Sequence, residues 1–331
     1  MTEARYIMQP GLATLLGFVA GCSAPGGPFV AGPALPSDEP ARALVATDDG
    51  LAIAFHLSSR VALWRRDGSR AEVEVGLGPR RIARVDRGST ELVTANASGA
   101  SLSTLRGMVV ATTTALDAPP IALAAGDLDG DDDDELAILT GIVASAIEVQ
   151  IHGLGPPLRR ALPGASAVAI GDVDGDGRSD IVAVLESEAT AVVLSNASGF
   201  EAETRVAVCP TPSAVAVRRG VIAVACRSGG VDLVEGSSVR HLEGGRASYD
   251  VLLDDLDGDG ALDVAAVDRL GDAVFVWLDV TQDQAPWVYP VGRGPVALER
   301  FDFDGDGARD LVVLAYESRT VDVLLDTGAK R

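Results

Sequence analysis

The chain has 331 residues, of which 27 are Lys or Arg and 48 are Asp or Glu, so its formal net charge is −21. It contains a single lysine, Lys330. These values exclude nucleic acid as an expected partner, because affinity for phosphate backbones is built from clustered Lys and Arg. An apolar fraction of 47% excludes global disorder. Beyond the first twenty residues, no apolar run approaches the roughly 20 residues that a membrane-spanning helix requires.

The start of the chain has the organisation of an export signal. Arg5 provides a positive n-region, and residues 12–19 form an apolar stretch of h-region length. The following VAGC sequence, which ends at Cys22, resembles the lipobox of bacterial lipoproteins. This resemblance implies that residues 1–21 are a signal peptide, that the Cys22 sulfur carries a lipid, and that the protein lies in the bacterial cell envelope, facing the periplasm or the cell surface. The alternatives are an ordinary signal peptide that contains a cysteine, or a buried apolar strand.

Residues 22–40 are expected to form an extended tether. The part that follows Cys22 contains five prolines and three glycines among small residues, a composition that disfavours a packed element. Its only apolar pairs lie at 29–30 and 34–35.

The remainder of the chain is repetitive. Four acidic segments align without gaps, and a short run of Leu, Ile, Val and Ala follows each. They are DLDGDDDDE (127–135), DVDGDGRSD (172–180), DLDGDGALD (255–263) and DFDGDGARD (302–310). Their starts are 45, 83 and 47 residues apart, so the long interval holds a repeat without acids, at 214–224. The same period leads back to weak repeats at 86–93 and 48–54, which gives seven units over residues 41–331.

Each unit contains four short strands separated by Gly, Asp, Asn and Ser turns. Four strands in just over forty residues, repeated several times, predict an all-β fold: a seven-bladed β-propeller of four-stranded blades. The last unit supplies only three strands, which would leave an unpaired sheet edge. We therefore expect the segment from Phe29 to Leu35 to provide the missing outer strand and close the ring.

The order of motifs within a unit resembles that of the FG-GAP or VCBS repeat family. The order is GxGP, apolar strand, DxDxDG and a second apolar strand, strong in four units and weak in three over residues 41–331. The resemblance implies an integrin α-like seven-bladed propeller with calcium in the loops between the first and second strands of some blades. It does not identify a ligand or an activity.

The acidic segments themselves predict metal-binding loops. Carboxylates at loop positions 1, 3, 5 and 9, with a backbone carbonyl at position 7 and a turn glycine at position 6, would surround one point with oxygens, the ligands that Ca²⁺ prefers. The expected ligands are Asp127, Asp129, Asp131, Glu135 and the carbonyl of Asp133; Asp172, Asp174, Asp176, Asp180 and the carbonyl of Arg178; Asp255, Asp257, Asp259, Asp263 and the carbonyl of Ala261; and Asp302, Asp304, Asp306, Asp310 and the carbonyl of Ala308. Up to four calcium ions are expected. The first loop departs from the pattern, since Asp132 occupies position 6. The alternative is a set of solvated, metal-free Asx-turns.

Two cysteines remain in the repeats. Cys209 is predicted at the end of the outer strand of the fourth unit, and Cys226 at the end of the second strand of the fifth. Both strands run towards the same face, and an exported protein is oxidised, so a disulfide is expected. The alternative is two unrelated buried thiols.

Evidence for catalysis is weak. His56, His152 and His241 fall in or beside strands of different units without a nucleophile or acid at a catalytic spacing. Trp287 and Tyr289 could form an apolar platform near the connecting loops or pack inside a blade. The sequence therefore favours a monomeric, non-enzymatic binding or scaffold module, whose loops joining successive blades would contact a protein or glycan ligand. The alternative is a polysaccharide lyase or hydrolase with a site in the central funnel.

Overall fold

The structure is a computed structural model, and it describes residues 27–141, 148–152 and 158–328. The predicted signal peptide and Cys22 lie outside these residues. The fold is all-β, and the expectation of an all-β propeller with four-stranded blades is confirmed. In the described part of the chain, the only helix is a single 3-10 turn at Asn196–Ser198. None of its helices is long and apolar enough to span a membrane.

The strands of the described residues form seven four-stranded antiparallel sheets, which we number as blades in chain order. The strands of blades 1 to 3 are β2 (Ala43–Ala46), β3 (Gly50–Phe55), β4 (Arg60–Arg65) and β5 (Arg70–Glu74); β6 (Pro79–Asp86), β7 (Thr90–Asn96), β8 (Ser101–Arg106) and β9 (Val109–Ala115); and β10 (Pro120–Gly126), β11 (Glu135–Thr140), β12 (Glu148–His152) and β13 (Leu158–Ala161).

The remaining blades continue in the same order. The strands of blades 4 to 6 are β14 (Ala165–Gly171), β15 (Asp180–Leu185), β16 (Thr190–Leu194) and β17 (Glu203–Ala207); β18 (Pro212–Arg218), β19 (Val221–Cys226), β20 (Val231–Glu235) and β21 (Ser238–Leu242); and β22 (Ser248–Asp254), β23 (Asp263–Asp268), β24 (Ala273–Trp277) and β25 (Trp287–Pro290). Blade 7 contains β26 (Pro295–Phe301), β27 (Asp310–Ala315), β28 (Thr320–Asp326) and β1 (Phe29–Pro36). In each blade the first strand of the repeat lies innermost.

The N-terminal strand completes blade 7. β1 runs antiparallel to β28, with Phe29 opposite Asp326 and Pro36 opposite Thr320. Tyr289 of blade 6 holds the start of this strand: its hydroxyl accepts the Phe29 N–H at 3.3 Å, and the two rings meet edge to face at 5.9 Å. Both residues are almost fully buried. The segment expected to close the ring is therefore the segment that does so in the structure, and Tyr289 packs inside the protein rather than forming an exposed platform.

The second strand of each blade forms the core. All six residues of β3, β11, β15, β19, β23 and β27 are buried. Such strands do not alternate between apolar and polar residues, because both of their faces pack against neighbouring blades. One core cluster, for example, joins Leu139 of β11 to Ile181 and Ala183 of β15. Small Ala and Val side chains allow the blades to approach closely around the axis.

A disulfide joins blades 4 and 5. Cys226 ends β19, whereas Cys209 lies two residues beyond the end of β17, in the connection between the blades. The prediction that Cys209 ends the outer strand was therefore wrong by two residues, because β17 stops at Ala207. The Cys209 N–H donates to the Asp232 carboxylate at 2.6 Å, and the other oxygen of that carboxylate lies 2.6 Å from His241 Nδ1.

Candidate metal loops and central channel

The propeller has two chemically different faces. The innermost strands end on one face, which carries the four acidic loops and which we call the loop face. They begin on the opposite face, which we call the connection face. The connection face also carries the links between successive blades and the turns between second and third strands.

The acidic loops bring carboxylates together on the loop face. In each loop, one oxygen from each of three carboxylates lies within 4.8 Å of the others. The converging sets are Asp127, Asp129 and Glu135; Asp172, Asp174 and Asp180; Asp255, Asp257 and Asp259; and Asp302, Asp304 and Asp306. The donors are all oxygens, which suits a hard cation such as Ca²⁺. Position 9 joins the set in the first two loops, and position 5 joins it in the last two.

The carboxylate at position 1 organises the backbone of each loop. In the third loop, Asp255 accepts the N–H groups of Gly258 at 2.7 Å and Gly260 at 2.9 Å. These glycines occupy positions 4 and 6 with φ of 77° and 93°, a region that residues with a Cβ rarely adopt. In the first loop Asp132 takes position 6 at φ 69°. The sequence analysis identified the glycine at position 6 and missed the equal requirement at position 4.

The carboxylate at position 9 has a structural role. Asp263 is fully buried and accepts the Leu256 N–H at 2.6 Å and the Asp279 N–H at 2.7 Å. Burial raises its pKa to about 6, with a further increase from the nearby negative charges of Asp257 and Asp259. Asp180 and Asp310 each accept two backbone N–H groups in the same way. These residues were predicted as metal ligands. In the structure they hold the loop to the strand behind it, and Asp263 and Asp310 lie outside the converging sets.

Arginines partly relieve the mutual repulsion in two of the loops. In the fourth loop the Arg66 guanidinium lies 3.7 Å from the Asp302 carboxylate, and the contact in the second loop is closer. The Arg178 guanidinium lies 2.6 Å from the Asp176 carboxylate, and this hydrogen bond lowers the pKa of Asp176. In the third loop the pKa of Asp257 is raised, first by burial and then by the neighbouring carboxylates Asp259 and Asp255. Close carboxylates repel one another strongly unless a cation compensates them.

The central channel contains a cavity of about 190 Å³. Every innermost strand contributes to its lining, mostly with small apolar residues. The polar residues of the lining are Arg42, Arg81, Ser213, Tyr249 and Asp250. Burial raises the pKa of Asp250 to about 6 and that of Glu299, on the neighbouring β26, to about 7. The negative charge of Asp250 adds to the increase at Glu299.

Arginine and tyrosine side chains stack at the connection-face mouth of this channel. Two guanidinium groups lie against the Tyr249 ring, those of Arg227 at 5.1 Å and Arg269 at 4.9 Å from its centroid. Arg269 also lies 5.9 Å from the ring of Tyr316, which Arg42 covers at 4.7 Å. The result is a continuous stack, which we call the Arg–Tyr stack, with members from blades 1, 5, 6 and 7.

The histidines are placed separately. His56 follows β3 on the connection face, and its ring lies 5.9 Å from that of Tyr316. His241 belongs to the Asp232 pair beside the disulfide, and His152 ends β12. The sequence analysis missed the Arg–Tyr stack because its members share no motif. The only available signal was the charged residues Arg81, Asp250 and Glu299, at innermost-strand positions where other units have small apolar residues.

Solved propellers of low sequence identity share the fold. BBS1N, solved in complex with ARL6DN, has a TM-score of 0.75 at 12% identity, over 92% of this chain and 99% of that one. A catalytically inactive virginiamycin B lyase from Staphylococcus aureus, solved with quinupristin, has a TM-score of 0.69 at 11% identity, over 89% and 99%. The WD40 propeller of Doa1 has a TM-score of 0.63 at 15% identity, over 90% and 96%. No family model and no curated protein matches the chain. The fold class of this chain is thus the β-propeller, and its four acidic loops lie on one face.

Proposed function

We propose that the protein is a calcium-stabilised binding module of the bacterial cell envelope, anchored by a lipid at Cys22, whose connection face binds a protein ligand. The observation that carries the proposal is a group of exposed apolar residues on that face. Leu57, Leu77 and Leu270 expose 66%, 63% and 59% of their surface. They lie on loops that a rigid scaffold holds in place, which is the usual location of binding residues.

The position of β1 supports this choice of face. Its first residue, Phe29, pairs with Asp326, which lies on the loop face. A chain anchored at Cys22 therefore enters the propeller from the loop face. The connection face then points away from the anchor and towards a partner.

Calcium is proposed as a structural ion in the acidic loops. Three carboxylates per loop converge within 4.8 Å, and their oxygens suit Ca²⁺ better than Mg²⁺, which demands a stricter octahedron. The resemblance to FG-GAP or VCBS repeats implies the same ion. The carboxylates also accept backbone N–H groups, as in metal-free Asx-turns, so repulsion between carboxylates is the argument that favours the cation.

A protein ligand has one further support. BBS1N was solved in complex with ARL6DN, so a propeller of similar fold is known with a bound protein. For this chain, the experiment is capture of partners from the native envelope by the full chain carrying Leu57→Ser and Leu270→Ser, against Val109→Ser as control. Val109 is exposed by 65% on the outer strand β9. Partners retained by the control and lost by the leucine variant would support the proposal; equal capture by both would contradict it.

The anchor has its own test. Cys22→Ala is expected to leave the chain uncleaved or to release it from the membrane fraction of the native cell. Recovery of the unaltered protein in the soluble fraction, with an unmodified N-terminal segment, would contradict lipid attachment without affecting the choice of binding face.

An enzyme is the second candidate, because two carboxyl groups of raised pKa, Asp250 and Glu299, line cavities of the propeller. Raised pKa values are a feature of general acids. The two groups, however, line different cavities. The cavity of Asp250 measures about 190 Å³, below the roughly 300 to 1,000 Å³ of small-molecule sites, and that of Glu299, about 420 Å³, lies between blades 7 and 1. Because no single cavity holds both groups, the binding module is favoured.

A further inference from the structure

The mouth of the channel concentrates positive charge in an acidic protein. The chain carries a net charge of −21, yet Arg42, Arg80, Arg81, Arg227 and Arg269 all lie at the connection-face end of the innermost strands or in the adjoining turns. Arg227 has an acidic partner, Glu186, at 2.9 Å, and Arg269 lies 3.9 Å from Glu317. Among the described residues, no carboxylate lies within 4 Å of Arg42, Arg80 or Arg81. Arg42 and Arg80 are thus left without a close counter-charge, and the charge of Arg81 is opposed only by the more distant Asp250 carboxylate of the same channel lining.

Arginines at the loop face form a contrast. A cavity of about 420 Å³ between blades 7 and 1 is also lined by arginines. Arg66, Arg84 and Arg300 there pair with aspartates, at 3.7, 2.7 and 3.2 Å respectively. Their charges are compensated within the protein. Arg309, which also lines that cavity, has no carboxylate within 4 Å among the described residues. The channel mouth is therefore distinguished by the clustering of its arginines and not by the lack of an acidic partner alone.

The geometry of the mouth favours an anion over a neutral sugar. Guanidinium groups cover the faces of Tyr249 and Tyr316, so these faces are not free to stack on a sugar ring. Stacking also holds each guanidinium plane in place, which lowers the entropy lost when its N–H edge binds a carboxylate. Arg81 is partly buried in the channel lining, and a charge-assisted hydrogen bond is stronger in such a place than in open water.

His56 adds an unsatisfied polar atom at the same mouth. Its Nδ1 is buried and has no hydrogen-bond partner among the described residues, although its ring lies 5.9 Å from that of Tyr316. Buried nitrogens of this kind are usually paired in folded proteins. Together with Arg42 and Arg81, it marks the mouth as incomplete without a polar ligand.

The neighbouring side chains favour a polypeptide as the source of the anion. Leu57 directly follows His56, Leu270 directly follows Arg269, and both leucines are exposed. Exposed apolar side chains therefore lie beside the cationic centre, an arrangement that suits a segment of alternating acidic and apolar side chains. The cavity of about 190 Å³ has room for one side chain of that segment, while the rest would lie across the mouth.

We propose that the channel mouth binds an acidic side chain from an extended segment of a partner protein, with the guanidinium groups of Arg42 and Arg81 as hydrogen-bond donors to its carboxylate. This inference rests on the proposed role of the connection face. It adds the chemical class of the ligand.

The test measures binding of a fluorescent eight-residue peptide of alternating Glu and Leu to the full chain in calcium, by anisotropy. The variant carries Arg42→Gln and Arg81→Gln. One control keeps the net charge and carries Arg205→Gln and Glu203→Gln, a pair exposed on the outer strand β17. The matched control, Arg205→Gln with Arg159→Gln, removes two exposed positive charges, as the test variant does. We expect the double arginine variant to bind at least about tenfold more weakly, and both controls to bind as the unaltered protein does. Equal melting temperatures verify that the variants are folded.

Three results would overturn the inference. They are an absence of peptide binding, equal weakening by Arg205→Gln with Arg159→Gln, and binding of oligogalacturonate or inorganic phosphate in place of the peptide. A different outcome is that capture of envelope partners depends on Leu57 and Leu270 while the double arginine substitution leaves peptide binding unchanged. In that case the proposed docking face stands, and the proposal of an acidic ligand is wrong.

Discussion

The two faces of the propeller assemble their charged groups in different ways. On the loop face, each cluster comes from one contiguous nine-residue segment, such as 255–263. On the connection face, the groups that touch are far apart in sequence, as with Arg42 and Tyr316. A cluster of the first kind is visible in the sequence, whereas one of the second kind forms only when the ring closes. The comparison shows that a repeated motif can reveal a cluster of side chains within one loop while leaving a cluster formed between distant segments hidden.

Removal of calcium is expected to have the largest effect, and it should act through the loop face. Binding to the folded state alone stabilises it by about 2.7 kcal/mol per site at a hundredfold excess over the dissociation constant, so four sites would contribute about 11 kcal/mol. The loops lack an additional bidentate Glu, and we expect affinities near 10⁻⁴ to 10⁻³ M, roughly those of extracellular modules. The melting temperature should rise with calcium and fall with chelator. Indifference to both would show that the loops are metal-free turns.

Loss of the disulfide should have the next largest effect. Blade 5 lacks an acidic loop. The Cys209–Cys226 bond on the connection face instead joins it covalently to the connection from blade 4. The cysteines are 17 residues apart, for which the chain-entropy model predicts a stabilisation of about 3 kcal/mol. Cys209→Ser with Cys226→Ser should lose that amount in denaturant unfolding. Thiol titration of the unaltered protein, denatured without reductant, should find no free thiol from this pair; two would contradict the bond.

Glu299→Gln is expected to stabilise the protein above neutral pH. The pKa of Glu299 is raised to about 7 by burial, so the folded state favours its protonated form. Protonated Glu299 makes its full contribution to the stability of the folded state below the ordinary pKa of a glutamate. This contribution is lost as the pH rises through about 7. At pH 8 the variant should therefore be more stable than the unaltered protein by about 3 kcal/mol, and at pH 4 the two should agree. Glu74→Gln, at the exposed end of β5, is the control. An unchanged difference between pH 4 and pH 8 would contradict the raised pKa.

The smallest predicted effect distinguishes one acidic loop from another. Asp306→Ala and Asp176→Ala should each remove more of the calcium-induced rise in melting temperature than Asp131→Ala. The reason is that the first loop places Asp132, not glycine, at φ 69°, a backbone conformation that costs about 1 kcal/mol. Its calcium affinity should be correspondingly lower. Equal losses in the three variants would show that the turn glycine at position 6 does not affect affinity.

Much of the architecture could be predicted from the sequence. The period of the acidic segments predicted where the four-stranded blades lie in the sequence. The count of strands in the last unit indicated that residues 29–35 must pair with it. The same reasoning named the carboxylates that converge in the loops, although one of the four predicted in each loop lies outside the converging set: Asp131, Asp176, Asp263 and Asp310. These features depend on local composition and on the rule that sheet edges are covered.

The remainder depends on contacts between distant segments. That Tyr289 anchors Phe29, or that Asp263 accepts the Asp279 N–H, cannot be read from either segment alone. The pKa of Glu299 likewise follows from burial that exists only in the closed ring. Side chains at the channel mouth were missed for the same reason, since each appears in the sequence as an isolated charge or ring.

The pairing of β1 with β28 has a mechanical consequence. A pull on the chain before Phe29 acts along β1, because this strand runs from the loop face to the connection face, antiparallel to β28. The load falls on all the hydrogen bonds of the pair at once, in shear, instead of opening them one after another from an end. The Phe29 ring wedged against Tyr289 resists the first displacement. A propeller held by its N-terminus would thus be attached through the strand that also closes its ring. Under tension, separation of β1 from β28 would release the load and open the ring in the same step.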